Sequence, residues 1–197
     1  MLVTEINPND ELWLSKVEAP QIITDANLFA WDDEADLVVA GLGGAGIAAA
    51  NEALDKNLTV IGIDKTNGGG ATAKSGGVYY AGGGTPIQIA AGVKDSPENM
   101  FNYLIQETGD IVKESTLRNF CDTSAENTQW LMDNGVQFDP SYYKIKTSYP
   151  GAGYFLYHSD NSLVPSYMEK SHPAPRGHRG FEEGPFRPIG VGGTIFY

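Results

Sequence analysis

The stretch Leu37-Val38-Val39-Ala40-Gly41-Leu42-Gly43-Gly44-Ala45-Gly46 decides the fold. Its first four residues are an unbroken apolar run, as expected of a strand buried on both faces. Gly41, Gly43 and Gly46 then satisfy the pattern G-x-G-x-x-G. Beyond it, Ala45 to Lys56 is rich in alanine and reads as a helix. Leu58-Thr59-Val60-Ile61-Gly62-Ile63 reads as a second buried strand. Strand, helix and strand at this spacing form a βαβ unit. Its crossover is right-handed in nearly all proteins, which makes the two strands parallel neighbours.

A G-x-G-x-x-G run says little alone. Between a strand and a helix it carries a mechanism. The first glycine permits the tight turn, the second lets the backbone approach a pyrophosphate, and the third lets helix and strand pack closely. Gly44 and Ala45 lie at the helix start, whose N–H groups and positive dipole end favour phosphate. Asp64 stands 18 residues after Gly46, at the end of the second strand. A carboxylate there accepts hydrogen bonds from a ribose diol and repels a 2′-phosphate. The plainer alternative is a turn aspartate with Lys65 as a solvated neighbour.

From Thr66 to Gly92 the chain is glycine-rich, and fourteen of its 24 glycines lie between Gly41 and Gly92. Val78, Tyr79, Tyr80, Ile87 and Ile89 interrupt them, which favours an ordered loop against a ligand over disorder. A nicotinamide-binding domain usually continues into a helix after its second strand. Here Gly68-Gly69-Gly70-Ala71-Thr72-Ala73-Lys74-Ser75-Gly76-Gly77 offers small residues, hydroxyls and backbone donors to a flat ligand. The expected cofactor is therefore FAD. The expected binding set is Gly41, Gly43, Gly44, Ala45, Gly46, Asp64, Lys65, Thr66, Gly70, Ala71, Thr72, Ser75, Gly76 and Gly77.

With these motifs the chain resembles the flavoprotein family of fumarate reductase and 3-ketosteroid dehydrogenase. The resemblance rests on Gly41 to Gly46, Ile63-Asp64-Lys65 and Gly69 to Gly77. Three further stretches are similar to the steroid branch, in particular the 3-oxo-5alpha-steroid 4-dehydrogenases: Gly76 to Pro86, Lys146 to Pro150, and Pro173-Ala174-Pro175-Arg176-Gly177-His178. The resemblance implies an α/β, Rossmann-like FAD-binding domain with a parallel βαβ start, incomplete at its C-terminus. It implies a catalytic domain inserted into that domain. It also implies dehydrogenation beside a steroid 3-keto group, with a tyrosine polarising the ketone, a base taking the α proton and hydride moving to flavin N5. The family's principal catalytic tyrosines lie in later segments, so no catalytic residue is assigned, and the isolated piece is expected to be inactive. Two other readings stand beside this one: a fumarate-reductase-like enzyme reducing an unsaturated acid, and a fragment that only binds a partner.

Outside the motifs, residues 1–34 read as a polar leader that Trp13, Ile22, Ile23, Leu28, Phe29 and Trp31 could pin to a larger body. Residues 35–138 read as the first part of the FAD-binding domain. Ser96-Pro97-Glu98 starts a helix: a cap, a proline suited to the first turn and an acid suited to the dipole. A second helix runs from Ser115 to Asn134, with Leu117, Phe120, Cys121, Ser124, Thr128 and Leu131 on one face and Gly135 as its stop. Residues 139–197 read as a proline-rich, loop-like segment of the same domain leading toward an absent catalytic domain. The final Gly192-Gly193-Thr194-Ile195-Phe196-Tyr197 looks like the middle of an element, so the chain is expected to be truncated.

The net charge of −12, without any run of Lys or Arg, argues against nucleic acid and anionic membranes. The expected partner is a small-molecule substrate, and the electron acceptor is unassigned. No apolar run near the start approaches the ~20 residues of a membrane span, and the expectation is a cytoplasmic protein. The lone Cys121 excludes an internal disulfide framework, and His158, His172 and His178 have no metal-ligand spacing. Ten tyrosines offer donors, among them Tyr79, Tyr80, Tyr142, Tyr143, Tyr149, Tyr154 and Tyr157. Arg176, His178 and Arg179 form a basic cluster, read either as surface or salt-bridged structure or as a contact to flavin or substrate.

Overall fold

The computed structural model describes residues 19–181. Trp13 and the terminal Gly192–Tyr197 stretch lie outside the described residues. The chain divides into two compact units, Met1–Glu34 and Ala35–Tyr197. In the first, Trp31 Nε1 donates to the Ala26 carbonyl at 2.9 Å, and the Trp31 and Phe29 rings lie 4.7 Å apart.

The second unit opens with β1 (Leu37–Ala40), α1 (Gly44–Asp55) and β2 (Val60–Ile63). The strands are parallel, with Leu37 opposite Val60 and Ala40 opposite Ile63. The helix ends where Asn57 turns left-handed at φ 59°. There Leu58 N donates to Ala53 O and Asn57 N to Leu54 O, the paired bonds of a Schellman stop. This stop consumes Leu58, so the second strand begins later than the apolar run suggests. The expected burial on both faces holds only in part. Val39 is buried, but Val38 and Ile63 are about half exposed. Helix α1 packs against both strands.

The glycine-rich stretch carries more regular structure than an ordered loop. It holds α2 (Gly70–Ala73), β3 (Val78–Tyr80) and α3 (Pro86–Ala90). Thr85 caps α3 through a reciprocal box with Gln88, and Pro86 occupies the first turn. Two longer helices follow, α4 (Pro97–Thr108) and α5 (Glu114–Asp133). Ser96 Oγ accepts from Asn99 N, which is the cap the sequence announces. Gly135 at φ 93° follows the end of α5. Met100, Phe101, Leu117 and Cys121 form the core between the two helices. Ser124 and Thr128 are buried on the expected face of α5, whereas Phe120 is 38% exposed and turns partly to solvent.

The region read as loop-like contributes most of a second sheet, which also takes in β3. Its strands are β4 (Gln137–Phe138), β5 (Tyr142–Tyr143), β6 (Leu156–Tyr157) and β7 (Gly177–Phe181), with the short α6 (Pro165–Met168) between the last two. The order is β3-β7-β6-β5, and β4 also pairs with β7. Strand β7 thus collects partners from across the unit and carries Arg176, His178 and Arg179 at or beside its start.

That basic cluster is fully buried, not a surface feature. Arg176 reaches Asp95 with Nε to Oδ2 and Nη2 to Oδ1, both at 3.0 Å. A buried bidentate pair of this kind joins the β7 start to the turn before α4. His178 Nε2 lies 2.9 Å from Thr85 Oγ1, and its Nδ1 lies 3.1 Å from the Arg176 carbonyl. Arg179 Nη1 donates to the Tyr154 carbonyl at 2.8 Å.

Candidate functional site

The C-terminal ends of β1 and β2 open onto a cavity of about 540 Å³. Ligands of parallel α/β sheets bind at this end of the strands. Gly41, Asp64, Lys65, Thr66, Gly70 and Ala71 of the expected set line it, together with Ala40, Ile63, Gly68 and Lys74. Gly43, Gly44, Ala45, Gly46, Thr72, Ser75, Gly76 and Gly77 do not line it. Ala40 and Ile63 are the last residues of their strands, so the strand reading already held that signal. Lys74 is the one cation inside the small-residue loop, and its charge was the available clue.

The three glycines of the motif differ in what they face. Gly41 turns at φ +97°, and a Cβ there would meet nothing within 4 Å. Gly43 has ordinary backbone angles, and a Cβ there would come no nearer than 4.0 Å, to Gly70 Cα. A Cβ on Gly46 would stand 1.9 Å from the Gly41 carbonyl oxygen and 3.1 Å from Val39. Gly46 is therefore required by helix–strand packing, whereas a Cβ on Gly41 or Gly43 would meet no tight contact. Gly43 caps α1 without a side-chain bond, and no acidic residue sits in the first turn. The helix start thus presents backbone donors and an uncompensated dipole to an incoming anion.

Asp64 ties the two strand-end loops together. Its Oδ2 accepts from Leu42 N at 2.8 Å, and its Oδ1 accepts from Thr66 N at 2.7 Å and Thr66 Oγ1 at 2.8 Å. These bonds, led by the Thr66 hydroxyl, hold the carboxyl below its usual range, so it stays ionised. An ionised carboxylate has about four acceptor sites; three are used, and one remains for a hydroxyl of the ligand. Leu42 in turn accepts from Gly69 N at 2.7 Å and packs over Gly62. Gly68, Gly69 and Gly70 all take positive φ, which brings the α2 start against Gly43.

The two hydroxyls of the loop each accept a backbone bond. Thr72 Oγ1 accepts from Gly44 N at 3.4 Å, and Ser75 Oγ accepts from Gly77 N at 3.1 Å. The Tyr149 hydroxyl donates to the Gly76 carbonyl at 3.3 Å. Among the described residues no cluster of His, Cys, Asp or Glu could hold a metal, and no helix is long and apolar enough to cross a membrane.

The profile of the FAD binding domain family matches residues 36–194. The chain belongs to this family. The flavin domain is 39% identical to the 3-oxo-5-alpha-steroid 4-dehydrogenase of Comamonas testosteroni over 160 residues, covering 80% of the chain and 30% of that protein. It is 34% identical over 118 residues to the acrylate reductase flavoprotein subunit of Shewanella woodyi, covering 59% of the chain and 23% of that protein. Its fold matches the crystal structure of 3-ketosteroid-delta4-(5alpha)-dehydrogenase from Rhodococcus jostii RHA1 in complex with 4-androstene-3,17-dione. There the TM-score is 0.77 and the identity 38%, over 86% of this chain and 35% of that one. The chain thus spans about a third of these steroid enzymes' length. FAD is the cofactor of the family, and the glycine-walled cavity, the α1 start without an acidic residue and the ionised Asp64 fit it.

Proposed function

We propose that the protein carrying this flavin domain is a dehydrogenase acting on a ring CH–CH bond of a 3-ketosteroid or similar polycyclic ketone. The observation that carries this reading is the TM-score of 0.77 at 38% identity to an enzyme solved with 4-androstene-3,17-dione. FAD, when bound, supplies the acceptor for a two-electron oxidation. This chain's own part is to bind and orient it. Gly41 and Gly43 leave room for the pyrophosphate, the α1 start faces its charge, and Asp64 offers its remaining acceptor site to the ribose. Lys65, Thr66, Gly70 and Ala71 complete the wall, and Lys74 adds a cation to it. Gly44, Ala45, Gly46, Thr72, Ser75, Gly76 and Gly77 shape the loops behind that wall. Residues 35–138 and 139–197 act as parts of one domain, and the groups that act on the steroid come from outside this chain.

The test is dye reduction by the full-length protein with a panel of saturated 3-ketosteroids. Reduction with at least one steroid is expected. Failure with all of them, in a protein that holds FAD, overturns the substrate class. The similarity to the acrylate reductase subunit favours a second reading, reduction of an unsaturated acid. Oxidation of a reduced dye by fumarate or acrylate identifies that case.

A further inference from the structure

Arg179 is fully buried. Among the described residues no carboxylate lies within 4.0 Å of it, and its Nε has no hydrogen-bond partner. A buried cation without a carboxylate partner carries a desolvation cost that carbonyl bonds and ring contacts must offset. The guanidinium lies 4.1 Å from the centre of the Tyr149 ring. Its Nη1 donates to the Tyr154 carbonyl at 2.8 Å and points at those of Pro150 and Gly151 at 3.4 Å. The whole 149–154 loop is therefore gathered around one side chain. That loop is otherwise exposed, apart from Pro150 and the Tyr149 face turned to the guanidinium.

The same loop touches the glycine corner. The Tyr149 hydroxyl donates to the Gly76 carbonyl, and a Cβ on Gly76 would lie 3.8 Å from the Tyr149 ring. Gly77 turns at φ +67° directly before β3, and Val78 pairs with Arg179 in the sheet. Arg179 thus grips this corner twice, by its backbone through the ladder and by its side chain through Tyr149.

We propose that Arg179 is a positioning residue for the flavin: through the face of Tyr149 it straps the 149–154 loop onto the Gly76–Gly77 corner and fixes that corner behind the wall of the cofactor cavity. The proposal rests on the flavin reading of the cavity, with Gly76 and Gly77 shaping the loop behind its wall.

The test compares Arg179→Lys, Tyr149→Phe and the double variant in the full-length protein. It reads the FAD dissociation constant and the shape of the bound flavin's visible band. Lysine keeps the charge but loses the planar fork and the stack. It is expected to weaken FAD about tenfold and to blur the band's fine structure, a tenfold change being the loss of one well-made charged contact. Phenylalanine keeps the ring and removes the bond to Gly76, and a loss of about threefold with the same spectral change is expected. The double variant should be no worse than Arg179→Lys, because Tyr149 acts through the stack. Wild-type affinity and spectrum in a folded Arg179→Lys variant would overturn the proposal. If that variant fails to fold, an unchanged Tyr149→Phe protein overturns it alone. A wild-type protein without flavin overturns this proposal and the flavin reading together, whereas flavin-loaded wild type with unaffected variants overturns this one only.

Discussion

Asp95 receives Arg176 through two parallel 3.0 Å bonds, and both side chains are fully withdrawn from solvent. Asp95 also accepts from Gly83 N, Gln88 Nε2 and Asn99 Nδ2. One carboxylate therefore ties the β3–α3 turn, α3, α4 and the start of β7. Burial pushes its pKa up, but the bonds and charge of Arg176 outweigh this and hold it below the usual range. Among the described acids, replacing Asp95 with alanine leaves Arg176 only Asp160, at 3.6 Å. A loss of about 3–5 kcal/mol is expected, the cost of stranding a buried charge. Chemical denaturation of the full-length protein measures it, and a loss below about 1 kcal/mol would show the pair to be dispensable.

Two glycines of one motif should fail in different ways. In Gly46→Ala the new methyl lies 1.9 Å from a backbone oxygen, so α1 must lift from β1. That variant should lose stability even without FAD. In Gly43→Ala the nearest atom is 4.0 Å away and the backbone angles are ordinary. That variant should keep its flavin-free melting temperature and lose FAD affinity, because its methyl occupies the space left for the pyrophosphate. Melting curves with and without FAD separate the two. Equal behaviour of the variants in both states contradicts the division of roles.

His178 makes the fold acid-sensitive. Gln88 N donates to Thr85 Oγ1 at 3.1 Å, which leaves the threonine proton to point at His178 Nε2. The ring is then neutral with its proton on Nδ1, facing the Arg176 carbonyl. Complete burial pulls its pKa down from 6.5 to about 4. The unfolded chain takes up the proton first, so the contribution is whole above pH 6.5 and fades as pH falls toward 4. Burial lowers His158 too, with the same sign. From pH 7 to 4.5 the loss attributable to His178 should be about 2 kcal/mol. Urea midpoints at the two pH values measure it, and a His178→Gln variant should lose less. Identical pH dependence in both proteins excludes His178 as the source.

What the sequence made readable was local. The βαβ start, the G-x-G-x-x-G turn, the Ser96 cap and the α5 stripe each lie within a single window of residues, where spacing and capping chemistry act. The second sheet was not readable, because most of its strands have two or three residues and show no alternation. Its pairing joins Val78 to Arg179 and Phe138 to Gly180, which no local pattern announces. The burial of Arg176 was hidden for the same reason. Its partners Asp95 and Asp160 come from far along the chain, and charged residues are ordinarily exposed. In the candidate site, Gly41 and Asp64 followed from the motif. Thr72 and Ser75 were read as offering hydroxyls to the ligand, and the oxygen of each also accepts from neighbouring backbone. A hydroxyl's partner depends on loop geometry that composition does not carry.

Asp64 should control FAD affinity through shape as much as through charge. Its two oxygens pin Leu42 N on one loop and Thr66 on the other. Asparagine has one acceptor oxygen, so Asp64→Asn must turn an amide N–H toward one of these donors. The strand-end loops should part there, and FAD affinity should fall about tenfold or more, as two charge-assisted bonds weaken. Thr66→Ala removes only the hydroxyl bond and keeps Thr66 N, so its loss should be about threefold. Because the Thr66 and Leu42 bonds hold the Asp64 carboxyl below its usual range, FAD affinity in the wild type should not fall on its account until pH drops below about 4. Fluorescence titration of the flavin-free protein from pH 7 to pH 5 reads all three. A wild-type affinity already falling across that interval, or a Thr66→Ala loss equal to that of Asp64→Asn, would place the binding energy elsewhere in the cavity.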